Sequence, residues 1–293
     1  MVGRVILTAD DYAIAPGVSA AIRQLAEQRR LSATSAMTNM AQWPQEAARL
    51  KPLRDRIAIG LHLDLTAWRP LGAMPTFAPE RRFPKLPAVL AAGLRGKLDA
   101  DEIAAEIERQ LDAFEAALGF PPDHVDGHQH VHAIPGVCEP LLAILSRRYG
   151  SRPPLVRVPR ARPGALPGLG STGVKAAFVG LLAGRLRRGA RKHGLPVNDA
   201  FAGFSGFREG TSYAAELDAA LSDVLTQGAR LGIVMCHPGV PDGDLAEKDG
   251  VLARRQEELD AMLTLDGVAD RIWHVEREAE ASGPIDWSRE AQR

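Results

Sequence analysis

Short apolar runs alternate with longer stretches of helical periodicity along most of the chain. Val5 to Ala9, Ala33 to Thr38, Ile57 to Leu65, His124 to Asp126, Leu155 to Val158, Leu231 to Cys236 and Ile272 to Val275 read as strands, bounded by turn formers or by helical pattern. Between them, Pro16 to Gln28, Trp43 to Leu53, Asp101 to Leu118, Gly136 to Tyr149 and Ala214 to Gln227 read as helices. The clearest is the stretch from Asp101, with Ile103, Ile107, Leu111, Phe114 and Leu118 at three- and four-residue spacing, which gives one apolar face. This β-α alternation predicts an α/β fold with a parallel sheet and crossover helices. About seven strands fit a distorted (β/α) barrel better than an open nucleotide-binding sheet, and no G-x-G-x-x-G follows a strand.

Two segments interrupt the alternation. Residues 66–98 are rich in Pro, Gly and Arg and read as a loop excursion. Residues 159–212 hold Pro159, Pro163 and Pro167, then a helical stretch, then a Gly- and Phe-rich run from Phe201 to Phe207. With no internal repeat, one domain over 1–293 with long loop excursions is the simplest organisation. The composition, 45% hydrophobic and 25% charged, is that of a globular protein that needs no disulfide staples, and only Cys138 and Cys236 are present. The formal charge is zero and aromatic residues make up only 5%, which argues against a nucleic-acid partner. No cationic leader precedes the first strand and no window is apolar enough to span a membrane, so the sequence predicts a cytoplasmic protein.

Acids and imidazoles collect where these strands end, the edge at which parallel α/β folds place their chemistry. The first strand ends in Asp10-Asp11, and the third contains His62, which shares a strand face with Asp64. The fourth runs into His124-Val125-Asp126-Gly127-His128-Gln129-His130-Val131-His132, and the late strand ends in His237-Pro238-Gly239. Each has a bland reading. The Asp pair can cap the helix near Pro16, His62 can be a satisfied core histidine, and His237 can be structural. Alternation would send Asp10 and Asp11 in different directions and would set His124, Asp126, His128, His130 and His132 on one face. So many imidazoles are costly to bury without partners, and a metal or catalytic cluster is the better reading. Spacing leaves open which of His128, His130 and His132 would bind an ion.

Thr8-Ala9-Asp10-Asp11-Tyr12 with Pro16-Gly17, then Gly60-Leu61-His62-Leu63, the 124–132 segment and His237-Pro238-Gly239, in this order over nearly the whole chain, resemble the YdjC-like carbohydrate deacetylases. That family includes chitooligosaccharide deacetylase and the deacetylase of hopanoid biosynthesis. Many members carry Phe-Gly after the acid pair, where this chain has Tyr12-Ala13. The resemblance implies a distorted (β/α) barrel and one divalent metal ion held by Asp11, His62 and His128. It also implies an N-acetylated sugar as substrate. Two imidazoles and a carboxylate suit Zn, Mn, Co or Ni, and a water-rich site admits Mg; Mg and Zn are the first expectations.

For amide hydrolysis we expect Asp10 as general base toward water and His237 as general acid toward the sugar nitrogen. Asp126 or His130 would orient ligands, with His132 nearby. Arg157 and Arg160 would either contact sugar hydroxyls or a phosphate, or serve as surface charges. Three alternatives compete: a phosphoesterase on the same scaffold, a metal-free glycoside hydrolase, and a non-catalytic sugar-binding protein. Adjacent Asp10 and Asp11 cannot flank a glycosidic bond, which weakens the second. Finally, the apolar stretch 176–186 runs into Arg187, Arg188, Arg191 and Lys192. The sequence therefore predicts either a core helix with a solvated cationic end or peripheral membrane contact through 176–192. A homodimer is also compatible with the sequence.

Overall fold

Val5–Tyr12 (β1) is buried along its whole length, as expected of a strand covered on both faces. The computed structural model describes residues 5–66, 68–166, 171–204, 212–246, 252–276 and 283–292. β1 lies at the interior of a seven-stranded sheet with Ala33–Ala36 (β2), Ala58–Leu63 (β3), His124–Gly127 (β4), Leu155–Val156 (β5), Ala200–Ala202 (β6) and Gly232–Cys236 (β7). The order is β5-β4-β3-β2-β1-β7-β6, and every pairing is parallel. Between the strands run Pro16–Glu27 (α1), Trp43–Leu50 (α2), Leu86–Leu94 (α3), Ala100–Leu118 (α4), Cys138–Tyr149 (α5), Ser171–Lys192 (α6) and Tyr213–Thr226 (α7). Gly243–Ala246 (α8) and Leu252–Thr264 (α9) follow β7.

Alternation along the strands separates two apolar layers. Val5, Leu7 and Ala9 of β1 join the large core beneath the helices, with Leu111, Phe114 and Leu118 of α4. Their neighbour Ile6 faces the other way and packs with Ala33, Ala58, Leu155, Phe201, Ile233 and Met235 inside the curl of the sheet. The two edges of the sheet meet near its base. Val156 bridges to Val197 and its amide donates to the Pro196 carbonyl at 2.9 Å. The Asn198 side chain accepts from the Val158 amide at 2.6 Å and donates to the Val158 carbonyl at 3.0 Å. The result is the distorted barrel expected from the strand count. Its floor is closed by a late segment: the Ile285 amide donates to Asp123 Oδ1 at 3.0 Å and the Trp287 indole donates to the Asp123 carbonyl at 2.6 Å, and both side chains are buried against the interior layer.

Four expectations change. Residues 272–275 are not a strand but a single bridge from Ile272 to Val5. The seventh strand is β6, three residues inside the segment read as an excursion and too short to show a period. Excursion 66–98 contains α3. The second helix stops at Leu50, and a 3-10 turn, Lys51–Asp55, continues it with Pro52 near its start. Pro167 and Phe207 lie outside the described residues.

Candidate metal centre

The acid pair departs from simple alternation. Between Ala9 and Tyr12 the β1–β2 register slips, and Asp11 takes a left-handed backbone (φ 67°), as does Ala13 (φ 74°). A bulge of this kind lets two successive side chains address one site. Both carboxylates are buried and neither caps α1, whose N-cap is Ala15 without a side-chain bond. Asp10 receives the Arg157 guanidinium through two bonds, Nη1 to Oδ1 at 2.6 Å and Nη2 to Oδ2 at 2.7 Å. Asp11 receives Arg255 Nη2 on Oδ2 at 2.6 Å.

Asp11 Oδ1 faces the imidazoles. It lies 3.2 Å from His62 Nε2 and 2.9 Å from His128 Nδ1. The donor atoms of Asp11, His62 and His128 lie within 4.8 Å of one another. This trio fits a cation: one carboxylate and two imidazoles, with His128 half-buried and so open to the exterior. The other side of His62 is also fixed. Its Nδ1 lies 2.6 Å from Asp126 Oδ1 and 3.1 Å from the Ser35 hydroxyl. A carboxylate at Nδ1 sets the tautomer that leaves Nε2 turned toward Asp11.

A second donor trio, Asp10, His62 and Asp126, lies below the first. Arg157 already supplies a cation there, since its Nη1 reaches both Asp10 Oδ1 (2.6 Å) and Asp126 Oδ2 (3.0 Å). Arg157 is fully buried, so its reading as a surface charge or direct sugar contact gives way to that of a counter-ion shared by two carboxylates. Room for this interior layer depends on Gly60, where a Cβ would lie 2.5 Å from the His124 ring.

The 124–132 segment does not run extended. β4 ends at Gly127, and Gln129 (φ 52°) and His130 (φ 61°) are left-handed. The histidines therefore diverge rather than share a face. His128 goes to Asp11, where Trp68 lies 4.9 Å from its ring. His130 packs against Phe204 at 5.4 Å, away from the Asp11 trio. His132 turns inward, with Nε2 2.8 Å from the Arg157 carbonyl. His237 follows β7, with Nε2 4.0 Å from Asp10 Oδ2 and its amide bonded to Glu258. The turn after it is locked to α1: the Gly17 amide donates to Asp242 at 2.6 Å, and a Cβ on Gly17 would strike the Val240 carbonyl.

The electrostatics separate buried anions from three imidazoles that burial keeps neutral and one, His62, that carboxylates hold charged. Burial works against the charge on Asp11, yet Arg255 and His128 hold its carboxyl well below the usual carboxylate range. Burial likewise opposes charge on Asp126, but Arg157 and His62 keep it strongly acidic. His132 is pushed down to about 4 by burial and by Arg157, and His130 and His237 are lowered mainly by burial. His62 moves the other way, to about 10, because Asp126 and Asp10 outweigh its burial.

Arg255, Glu258, Ser35 and Trp68 escaped the sequence reading. Arg254-Arg255 and Glu257-Glu258 look like a solvated charged face, but Arg255 and Glu258 fall on the same α9 stripe as Leu259 and Met262. Charges on the apolar stripe of a helix are the signal that could have found them.

Comparison with known proteins matches residues 4–267 to the family described as YdjC-like protein. A mouse carbohydrate deacetylase is 31% identical, over 92% of this chain and 90% of that protein. One from Geobacillus stearothermophilus is 30% identical over 88% of each. A Yersinia pestis chitooligosaccharide deacetylase is 36% identical over 48% of this chain and 55% of its own length. Among solved structures, an Enterococcus faecalis protein described as a cellobiose-phosphate cleavage protein superposes with a TM-score of 0.70 over 92% of this chain and 94% of that one. At 17% identity, that likeness speaks to the fold alone.

Proposed function

Because the chain belongs to the YdjC-like protein family, we propose that it is a carbohydrate N-deacetylase, hydrolysing the acetyl amide of an N-acetylated sugar with the help of one divalent metal ion. The observation that carries this reading is the convergence of Asp11, His62 and His128, with His62 braced from behind by the Asp126 carboxylate. Two imidazole donors favour Zn, Mn, Co or Ni over Mg. Asp11, His62 and His128 would hold the cation, which would supply Lewis acidity toward an acyl oxygen and a water.

The side chains supply the rest. Asp10, oriented by its two bonds from Arg157, is the base that takes a proton from the attacking water. His237, with Nε2 4.0 Å from Asp10, takes up that proton from Asp10 and delivers it to the departing sugar nitrogen. The C–N bond breaks as the C–O bond forms, giving acetate and a free amine. Asp126, through Nδ1 of His62, and Arg255, on Asp11, hold the donor set in place.

A two-metal phosphoesterase is disfavoured because the second donor trio is already bridged by the Arg157 guanidinium. The test is acetate release from N-acetylglucosamine oligomers and monomer by the metal-loaded enzyme, with and without chelator. Acetate that appears with metal and stops with chelator is expected. Activity that survives complete metal removal, or phosphate release from sugar phosphates in place of acetate, would overturn the reading.

A further inference from the structure

Helix α6 divides its two faces sharply. Ala176, Val179, Ala183, Leu186 and Ala190 are buried on one side. Along the opposite side, Val174, Phe178, Leu181, Arg185, Arg188 and Lys192 follow at three- and four-residue spacing and form one exposed stripe. The stripe is apolar in its first half: Val174 is 77% and Leu181 76% exposed. Its second half is cationic. The whole helix carries Lys175, Arg185, Arg187, Arg188, Arg191 and Lys192 and no acid, in a chain that is formally neutral. The apolar half also lies at the rim of the site. α6 packs against the His128–Ala133 turn, and the Lys175 charge is felt by His130.

An ordinary solvated helix face does not expose aliphatic side chains in register with a run of cations on a helix that has no acid of its own, although Arg187 reaches Asp199 at 4.0 Å. Arg185 is shared with Glu139 at 2.6 Å, while Arg188 and Lys192 point outward beyond it. We propose that this stripe docks on a lipid bilayer containing anionic headgroups. Val174, Phe178 and Leu181 would enter the interface, and Arg188 and Lys192 would lie against the headgroups, with the site mouth close to the membrane surface. The partner is chosen by charge complementarity: a second copy of this face would bring like charges together. The inference stands apart from the deacetylase reading, since it is measured without turnover.

The experiment is co-sedimentation of the full chain with vesicles of phosphatidylcholine mixed with phosphatidylglycerol, and with phosphatidylcholine alone. Binding to the mixed vesicles that weakens with salt is expected. Two apolar side chains and two cations each contribute enough that V174S/L181S and R188E/K192E should each lower the partition coefficient roughly tenfold or more. All four positions are exposed, so both variants should keep the circular dichroism and melting behaviour of the parent chain. No binding to the anionic vesicles, or binding that both variants retain, would overturn the proposal. So would a dimer seen by light scattering that V174S/L181S dissociates without changing vesicle binding, because the face would then belong to a second copy. Deacetylase failure with intact vesicle binding would count against the preceding section alone.

Discussion

At the scale of single residues, the Asp126–His62–Asp11 line ties the interior of the barrel to its mouth. Asp126 is fully buried and bonds His62 Nδ1 at 2.6 Å, so its charge both fixes the tautomer and raises the basicity of the opposite nitrogen. Asp126→Asn keeps the shape and weakens that support. We expect metal affinity of the folded variant to fall by about 10- to 100-fold, as read by competition with a chromophoric chelator, and the melting temperature of the metal-free protein to fall as well, because buried Arg157 loses a partner. Unaltered affinity would mean that Asp126 serves Arg157 alone. Gln129 offers a second test, because it is exposed and held at φ 52° to send His128 and His130 apart. A left-handed backbone costs a side-chain-bearing residue about 1–2 kcal/mol, partly offset in glycine by chain entropy. Gln129→Gly should stabilise by about 0.5–1 kcal/mol, and Gln129→Val should destabilise by at least about 1 kcal/mol, in urea denaturation. The reverse order would contradict the strained turn.

At the scale of elements, the barrel is closed by its least conspicuous pieces. Trp287 has its indole bonded to the Asp123 carbonyl and its ring within the interior layer, at the end of the barrel opposite the metal centre. Trp287→Ala should cost about 3–5 kcal/mol in stability, with kcat of the surviving folded protein unchanged. A kcat loss at full folding would show that the floor communicates with the site. Such pieces were also the least legible. Long periodic elements such as α4, and buried runs such as β1 and β7, read correctly from the chain because packing imposes their period. β6 has only three residues, and 272–275 has the composition of a strand without a partner ladder, so no local pattern distinguishes them. At the site, residue types at strand ends were legible as a cluster. The directions of their side chains were not, because the bulge at Asp11 and the left-handed pair at 129–130 break the alternation on which such reading depends. Arg255, and the counter-ion role of Arg157, were hidden for a related reason. A buried guanidinium is identified by its carboxylate partner, and both partners lie more than a hundred residues away.

At the scale of the whole molecule, buried charge makes stability depend on pH in two opposed ways. Glu258 of α9 is buried beneath the His237 amide, and burial raises its carboxyl to about 7 despite that bond and the nearby arginines. Its folded value exceeds its unfolded one, so the stability it contributes is complete below about 4.5 and is lost as pH rises toward 7. Glu258→Gln keeps an acceptor for the amide and cannot titrate. The variant should flatten that decline, by on the order of a few kcal/mol between its ends, in denaturant melts across this window. Asp126 acts in the opposite sense: held acidic in the fold, it contributes stability above its ordinary value of 3.8 that is lost as pH falls further. A parallel pH profile for parent and Glu258→Gln would show that Glu258 is solvated as an anion.

The floor of the barrel also bears on the order in which the protein is made. β1 precedes the other strands in the chain and sits mid-sheet, β7 pairs with it after more than two hundred residues, and the segment around Trp287 follows later still. Until that segment emerges, Ile6, Ala33, Ala58, Leu155 and Ile233 enclose an apolar well without a base. A nascent chain stalled before residue 283 should therefore hold its sheet yet bind a hydrophobic dye, and release of the turn around Trp287 should extinguish that signal. Closure of the barrel would then be a stoppering step, and the interval before it is when this sheet most needs a chaperone.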